Sequence, residues 1–227
     1  MKSFFRDRGL WLAAVVLIMF AISLVQGAIS YTLTFGALRD FLPIDRAPVA
    51  GILVVLRFGL VAAMVLLWIS KRKRALLWTI IITNTLFTVT LLVHTSALIA
   101  VLFGSASEAI KVLMLDVALM VVSNILIFSV WYWIIDPPGV EGTSCADEPW
   151  EFLFPQRGSN LPHYDSWTPR YADYLFVAFT TSFAFSPTDT LPLTRRAKML
   201  LLLANTVFAF GVAAIAIIAV LKLSFGG

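Results

Sequence analysis

The sequence predicts an all-α, polytopic helical membrane protein with five transmembrane helices plus a short re-entrant or half-membrane helix. Three observations predict it. Of the 227 residues, 60% are hydrophobic and only 13% are charged, about half the charged share of a soluble domain. The apolar residues are gathered into five runs, each of roughly the 20 residues needed to cross about 30 Å of hydrocarbon as a helix. A polar, proline-rich break then precedes a sixth apolar piece, 174–185, that is too short to span as a normal helix. With a mean hydropathy of +0.91, these features exclude a soluble enzyme, a disordered tail and a secreted disulfide scaffold.

The first run, 10–30, follows Lys2, Arg6 and Arg8 and begins near Trp11. It exceeds the apolar core of a signal peptide and no small-residue cleavage site ends it, so a retained span is expected. The second run, 49–70, ends at Trp68 and is followed by Lys71-Arg72-Lys73-Arg74. The third, 75–103, begins near Trp78, and the fourth, 112–135, closes on Trp131 and Trp133. In an up-down-up-down order these five tryptophans fall at one interface, where indoles prefer to sit, and the basic residues share it. That face is therefore expected to be cytoplasmic. The net charge of +4 is read as membrane anchoring, and no nucleic-acid partner is expected.

Residues 136–170 hold six of the ten prolines and six acidic residues against two arginines, the composition of a turn-rich extramembrane excursion. The final run, 199–221, is a clear fifth span. The chain thus divides into a four-helix transmembrane bundle (1–135), a polar, Pro-rich acidic loop (136–170), and a short helix, turn and last transmembrane helix (171–227).

Three ionisable residues fall inside the apolar runs. Arg57 sits in span two, His94 in span three and Asp116 in span four. With hairpin topology and a helical rise of about 1.5 Å per residue, all three lie roughly 6–14 Å below the outer face. A lone charge in lipid costs at least about 2.5–3.5 kcal/mol on insertion scales. An Arg57–Asp116 pair with a nearby imidazole would offset much of that. The cluster is a candidate intramembrane polar site on an ion or proton route. The competing reading is a buried pair that only fixes packing, with Arg57 snorkelling outward. Asn84, Asn124 and Asn205 and the span-three threonines Thr79, Thr83, Thr88 and Thr90 read as interhelical hydrogen-bond glue.

The stretch 173–194 has the order short helix, turn, span. Its Phe179-Thr180-Thr181, Asp189 and Pro192-Leu193-Thr194 resemble the pore loop of the two-helix potassium-channel module, with matching spacing. In place of the family's Gly-Tyr-Gly filter stands Phe183-Ala184-Phe185-Ser186-Pro187-Thr188. It contains no glycine to turn carbonyls inward, and Pro187 restricts the backbone. The resemblance implies an oligomeric, channel-like protein without potassium-type selectivity. Its pore-loop candidates are Thr180, Thr181, Ser182, Phe183, Phe185, Ser186, Thr188 and Asp189. The alternative is structural: Asp189 forms a turn and Thr194 caps the last helix.

A second resemblance covers about 90 residues. Trp131-Tyr132-Trp133 with Asp136, then Phe152-Leu153-Phe154-Pro155-Gln156, then 173–198 are similar to the DUF1345 family of bacterial integral membrane proteins. It implies a multi-pass protein of the bacterial inner membrane. The potassium-channel likeness would place 136–170 outside, whereas seven basic residues at two places put it inside. Cys145, the one cysteine, lies in that excursion and reports its side through labelling with an impermeant thiol reagent.

Alternatives to a channel are a small-solute or proton-coupled transporter, although no internal repeat is present, and a non-conducting membrane scaffold. An enzyme is not expected: Glu141, Asp147, Glu148 and Glu151 read as a solvated loop. With His94 and His163 far apart and without cysteine partners, no metal or other cofactor is expected. The lipid bilayer is the expected partner, with further copies of the chain if it is a channel.

Overall fold

The computed structural model describes residues 9–32, 47–104, 110–136, 150–158 and 167–225. Helix follows helix: α1 (Gly9–Thr32), α2 (Ala47–Ile69), α3 (Lys73–Gly104) and α4 (Ile110–Ile135). Strand β1 (Phe152–Leu153), the single turn α5 (Pro155–Gly158), helix α6 (Tyr171–Ala184), strand β2 (Leu191–Pro192) and helix α7 (Arg195–Phe225) complete the order. Five of these helices are long and apolar enough to cross a membrane: Ala13–Thr32, Gly51–Ile69, Arg74–Ile99, Met114–Ile135 and Arg195–Ile217. The five expected spans are present, and α6, with 14 residues, is about 21 Å long and too short to be a sixth. The chain is an integral, multi-pass membrane protein.

The contacts divide the chain into two compact units, one of residues 1–15 with 125–205 and one of 16–124 with 206–227. This division does not follow the three sequence segments, because α1, α4 and α7 each contribute to both units. Lys2, Arg6, Arg8, Glu141, Cys145, Asp147, Glu148 and His163 lie outside the described residues.

In the 16–124 unit, helical periodicity sorts the side chains. On α2 the buried positions Arg57, Val61 and Met64 recur at three- and four-residue steps, as do Ile80, Asn84, Phe87, Leu91 and His94 on α3. Between them lie exposed Ile52, Val55, Leu66, Ile82 and Val89, apolar on the outward face as lipid demands and soluble proteins avoid. The α2–α3 turn is closed by Lys71 N–H donating to Trp68 O (3.1 Å) and Arg72 N–H donating to Leu67 O (3.1 Å). Trp68 and Trp78 are both exposed beside that turn, the position expected of interface anchors.

In the 125–205 unit, β1 and β2 pair antiparallel with Phe152 opposite Pro192 and Leu153 opposite Leu191. An aromatic core forms around them: Phe152 packs on Tyr132 (5.2 Å between centroids) and Tyr174 (6.4 Å), and Phe154 packs edge-on to Tyr174 (5.5 Å). Trp133 is 1% exposed. It therefore packs inside the protein, which corrects its reading as an interface anchor.

Candidate functional site

The intramembrane cluster is built at the last turns of α1. Gln26 and Ser30, one turn apart, lie on its buried face. Gln26 Nε2 donates to Phe87 O (2.8 Å), tying α1 to α3. Four residues on, Ser30 Oγ accepts from Arg57 Nη1 (3.2 Å) and lies 3.1 Å from His94 Nε2. Arg57 is 1% exposed and His94 8%, so both side chains are packed within the protein.

Ser30 Oγ thus joins the guanidinium to the imidazole. His94 Nδ1, like Arg57 Nε and Nη2, is buried without a hydrogen-bond partner.

The expected Arg57–Asp116 pair is corrected. Among the described residues no ion pair joins them. Asp116, fully buried, accepts at Oδ1 from Thr32 Oγ1, and its Oδ2 has no partner. The Thr32 hydroxyl also lies against Ala28 O and Ile29 O. The physical reason is helical phase. Arg57 engages residue 30 and Asp116 engages residue 32, and positions two apart on a helix do not face the same way. The three predicted residues gather about one helix end, but on different sides of it.

Thr79, Thr83, Thr88 and Thr90 donate to the carbonyls of Ala75, Thr79, Asn84 and Leu86 in their own helix. Each donates four residues back, and Gln26 supplies a hydrogen bond between helices.

A second polar centre lies in the 125–205 unit. Asp136, at the end of α4, is fully buried. Its Oδ1 accepts from the backbone N–H of Glu151 (3.0 Å) and Phe152 (3.3 Å). Its Oδ2 accepts from the Tyr174 hydroxyl (2.6 Å) and lies 2.9 Å from Arg157 Nη1. Arg157 also donates to Phe152 O (3.0 Å) and stacks over the Trp150 ring at 5.0 Å. Glu151 is likewise fully buried, not part of a solvated loop. It accepts from the Thr194 hydroxyl and lies 2.6 Å from Arg196 Nη2. Burial pushes the Tyr171 phenol up to about 12, opposed by its hydrogen bond with Ser129. The arrangement fastens the returning chain to the ends of α4, α6 and α7. Asp136, Arg157 and Tyr174 were missed as a group, although the first and third lie within the motifs of the second resemblance.

The pore-loop candidates separate into two sets. Thr181 and Ser182 are buried, and Ser182 donates to Ala178 O (2.8 Å). Thr180 donates to Phe176 O (2.9 Å) within α6. Phe183, Phe185, Ser186, Thr188 and Asp189 are exposed. Phe185 ends α6 in the left-handed conformation, φ 53°. Thr188 and Thr190 donate to Asp189 Oδ1 (3.2 and 3.4 Å), and Thr194 Oγ1 accepts from Ala197 N–H (3.2 Å). The turn role of Asp189 and the capping role of Thr194 are both observed. Among the described residues, no group of three or more His, Cys, Asp or Glu side chains is placed to hold a metal.

Comparison with protein-family models, with curated proteins and with solved structures finds no match to this chain.

Proposed function

We propose that this membrane protein provides a route for a small ion or solute, and that the Arg57–Ser30–His94 cluster, with Asp116 beside it, is a polar station on that route. One observation carries the reading. Arg57 is buried, lies within the apolar span Gly51–Ile69, and has no carboxylate partner among the described residues. Charges in such places are costly, and a charge that closes no ion pair is retained where polar cargo meets it. The test is flux in liposomes holding purified, correctly inserted protein. Arg57→Gln and His94→Ala are each expected to lower flux at least about tenfold, the equivalent of about 1.4 kcal/mol. Absence of flux for any of a panel of small cations, anions and organic acids would overturn the reading.

A second reading is an oligomeric, channel-like protein in which 180–189 approaches the conduction axis. It is favoured by the sequence of a short α6, an exposed turn begun by left-handed Phe185, and the spanning helix α7. Non-helical backbone at membrane depth is tolerated where it is buried in protein or lines water. This reading expects a symmetric homo-oligomer in nanodiscs; a monomer without ion current would count against it.

The bacterial inner membrane and a relation to the DUF1345 family are part of the same proposal. They are supported by Trp131 to Asp136, Phe152 to Gln156 and 173–198, whose members Asp136, Phe152 and Tyr174 meet in one buried centre.

A further inference from the structure

We propose that Arg57 and His94 bind a small planar oxyanion of the carboxylate class. This names the ligand of the polar station proposed above and rests on that reading. The argument begins with which hydrogens of the guanidinium are used. Nη1 donates to Ser30 Oγ at 3.2 Å, which orients the group. Nε and Nη2 remain buried without a partner. These two nitrogens share one edge of the guanidinium, and their N–H bonds run parallel. That edge is the fork that takes both oxygens of a carboxylate, nitrate or bicarbonate. A spherical halide meets both bonds off their axes, where hydrogen bonds weaken.

A further unpartnered nitrogen belongs to the same cluster. Ser30 also contacts His94 Nε2 at 3.1 Å, and His94 Nδ1 is likewise buried and unpartnered. With its hydrogen on Nδ1, the ring offers the bound carboxylate a further donor, joined to Arg57 through one hydroxyl. Asp116, the acidic residue of the neighbouring span, is instead held by Thr32 on a different side of α1. An incoming carboxylate supplies acceptors and a negative charge that no other described residue brings to these nitrogens.

The experiment uses the purified full chain in nanodiscs, with radiolabelled acetate in equilibrium dialysis and thermal unfolding in formate, acetate or chloride at equal ionic strength. Saturable acetate binding is expected, together with a Tm in acetate about 3 °C or more above that in chloride. Arg57→Lys keeps the charge but lacks the fork, and it is expected to lose the preference for acetate over chloride. His94→Phe, which removes Nδ1 together with the Nε2 contact to Ser30, is expected to weaken acetate binding about tenfold and serves if the lysine variant does not assemble. No saturable acetate binding by the wild type, or an unchanged acetate preference in Arg57→Lys, would overturn the assignment. Because binding is read without transport, acetate binding with no flux of any solute sustains this site and overturns the route. Flux that is indifferent to acetate, with no acetate bound, does the reverse.

Discussion

The carboxylate of Asp136 lies 2.9 Å from the Arg157 guanidinium where α4 ends, and the Arg157 side chain is only 3% exposed. The same carboxylate also takes two backbone N–H groups and the Tyr174 hydroxyl. A buried ion pair is favourable only when its remaining lone pairs are satisfied in this way. Removing one partner leaves the other charge uncompensated. Asp136→Ala is therefore expected to cost about 3–5 kcal/mol, and Tyr174→Phe, which removes one hydrogen bond to a charged group, about 1.5–3 kcal/mol. Thermal unfolding in detergent measures both. A loss below about 1 kcal/mol for Asp136→Ala would show that the pair is not the fastening of this unit.

Glu151 has two partners of unequal worth. Arg196 lies 2.6 Å away, but its side chain is 77% exposed against 1% for Glu151. Water screens the arginine, so Arg196→Ala is expected to cost no more than about 1 kcal/mol. Thr194 donates to the same carboxylate while its oxygen accepts from Ala197 N–H at the start of α7. Thr194→Ala removes a helix cap, worth about 0.5–2 kcal/mol, and a hydrogen bond to a buried charge in one step. The threonine variant should unfold at the lower temperature; the opposite order would assign the anchoring to the exposed pair.

These contrasts show why the spans were legible in the sequence and the polar centres only in part. A span is local: twenty consecutive apolar residues declare it, whatever the rest of the chain does. The cap at Thr194 is equally local, since its partner is three residues away. Asp136 finds Glu151 15 positions on and Tyr174 38 positions on. Nothing in the composition of 136–170 distinguishes Glu151 from the acidic residues around it, so it read as solvated. Ser30 and Thr32 were overlooked for another reason. A hydroxyl in an apolar run is commonplace, yet a buried arginine needs acceptors at its own depth. The end of span one shares an expected face with the start of span two, so matching depths would have found Ser30.

Phe185 offers a test within the turn that resembles a pore loop. Its φ is 53°, the left-handed region that costs an L-residue roughly 1–2 kcal/mol and costs glycine little. The side chain is 52% exposed. Phe185→Gly removes that backbone cost and the ring's own contacts together, and is expected to raise stability by up to about 1 kcal/mol. A Tm that falls on this substitution would show that the contacts of the ring outweigh the cost of the left-handed backbone.

Lys71 stands where a glycine would be expected. Its φ is 55°. The crossed bonds from Lys71 N–H to Trp68 O and from Arg72 N–H to Leu67 O form the helix-ending motif whose left-handed residue is usually glycine. Lysine carries a conformational cost there but begins the run Lys71-Arg72-Lys73-Arg74, and positive charge beside a membrane helix holds its loop on the cytoplasmic side. The two demands can be separated. Lys71→Gly is expected to raise stability by about 1 kcal/mol and leave three basic residues in the turn. Lys71→Ala removes the same charge but keeps the side-chain clash, and is expected to leave stability within about 0.5 kcal/mol. Thermal unfolding separates the glycine from the alanine variant. Thiol labelling at Cys145 in intact and permeabilised cells reads the topology. If both variants gain stability equally, relief of charge crowding is responsible and the backbone argument fails.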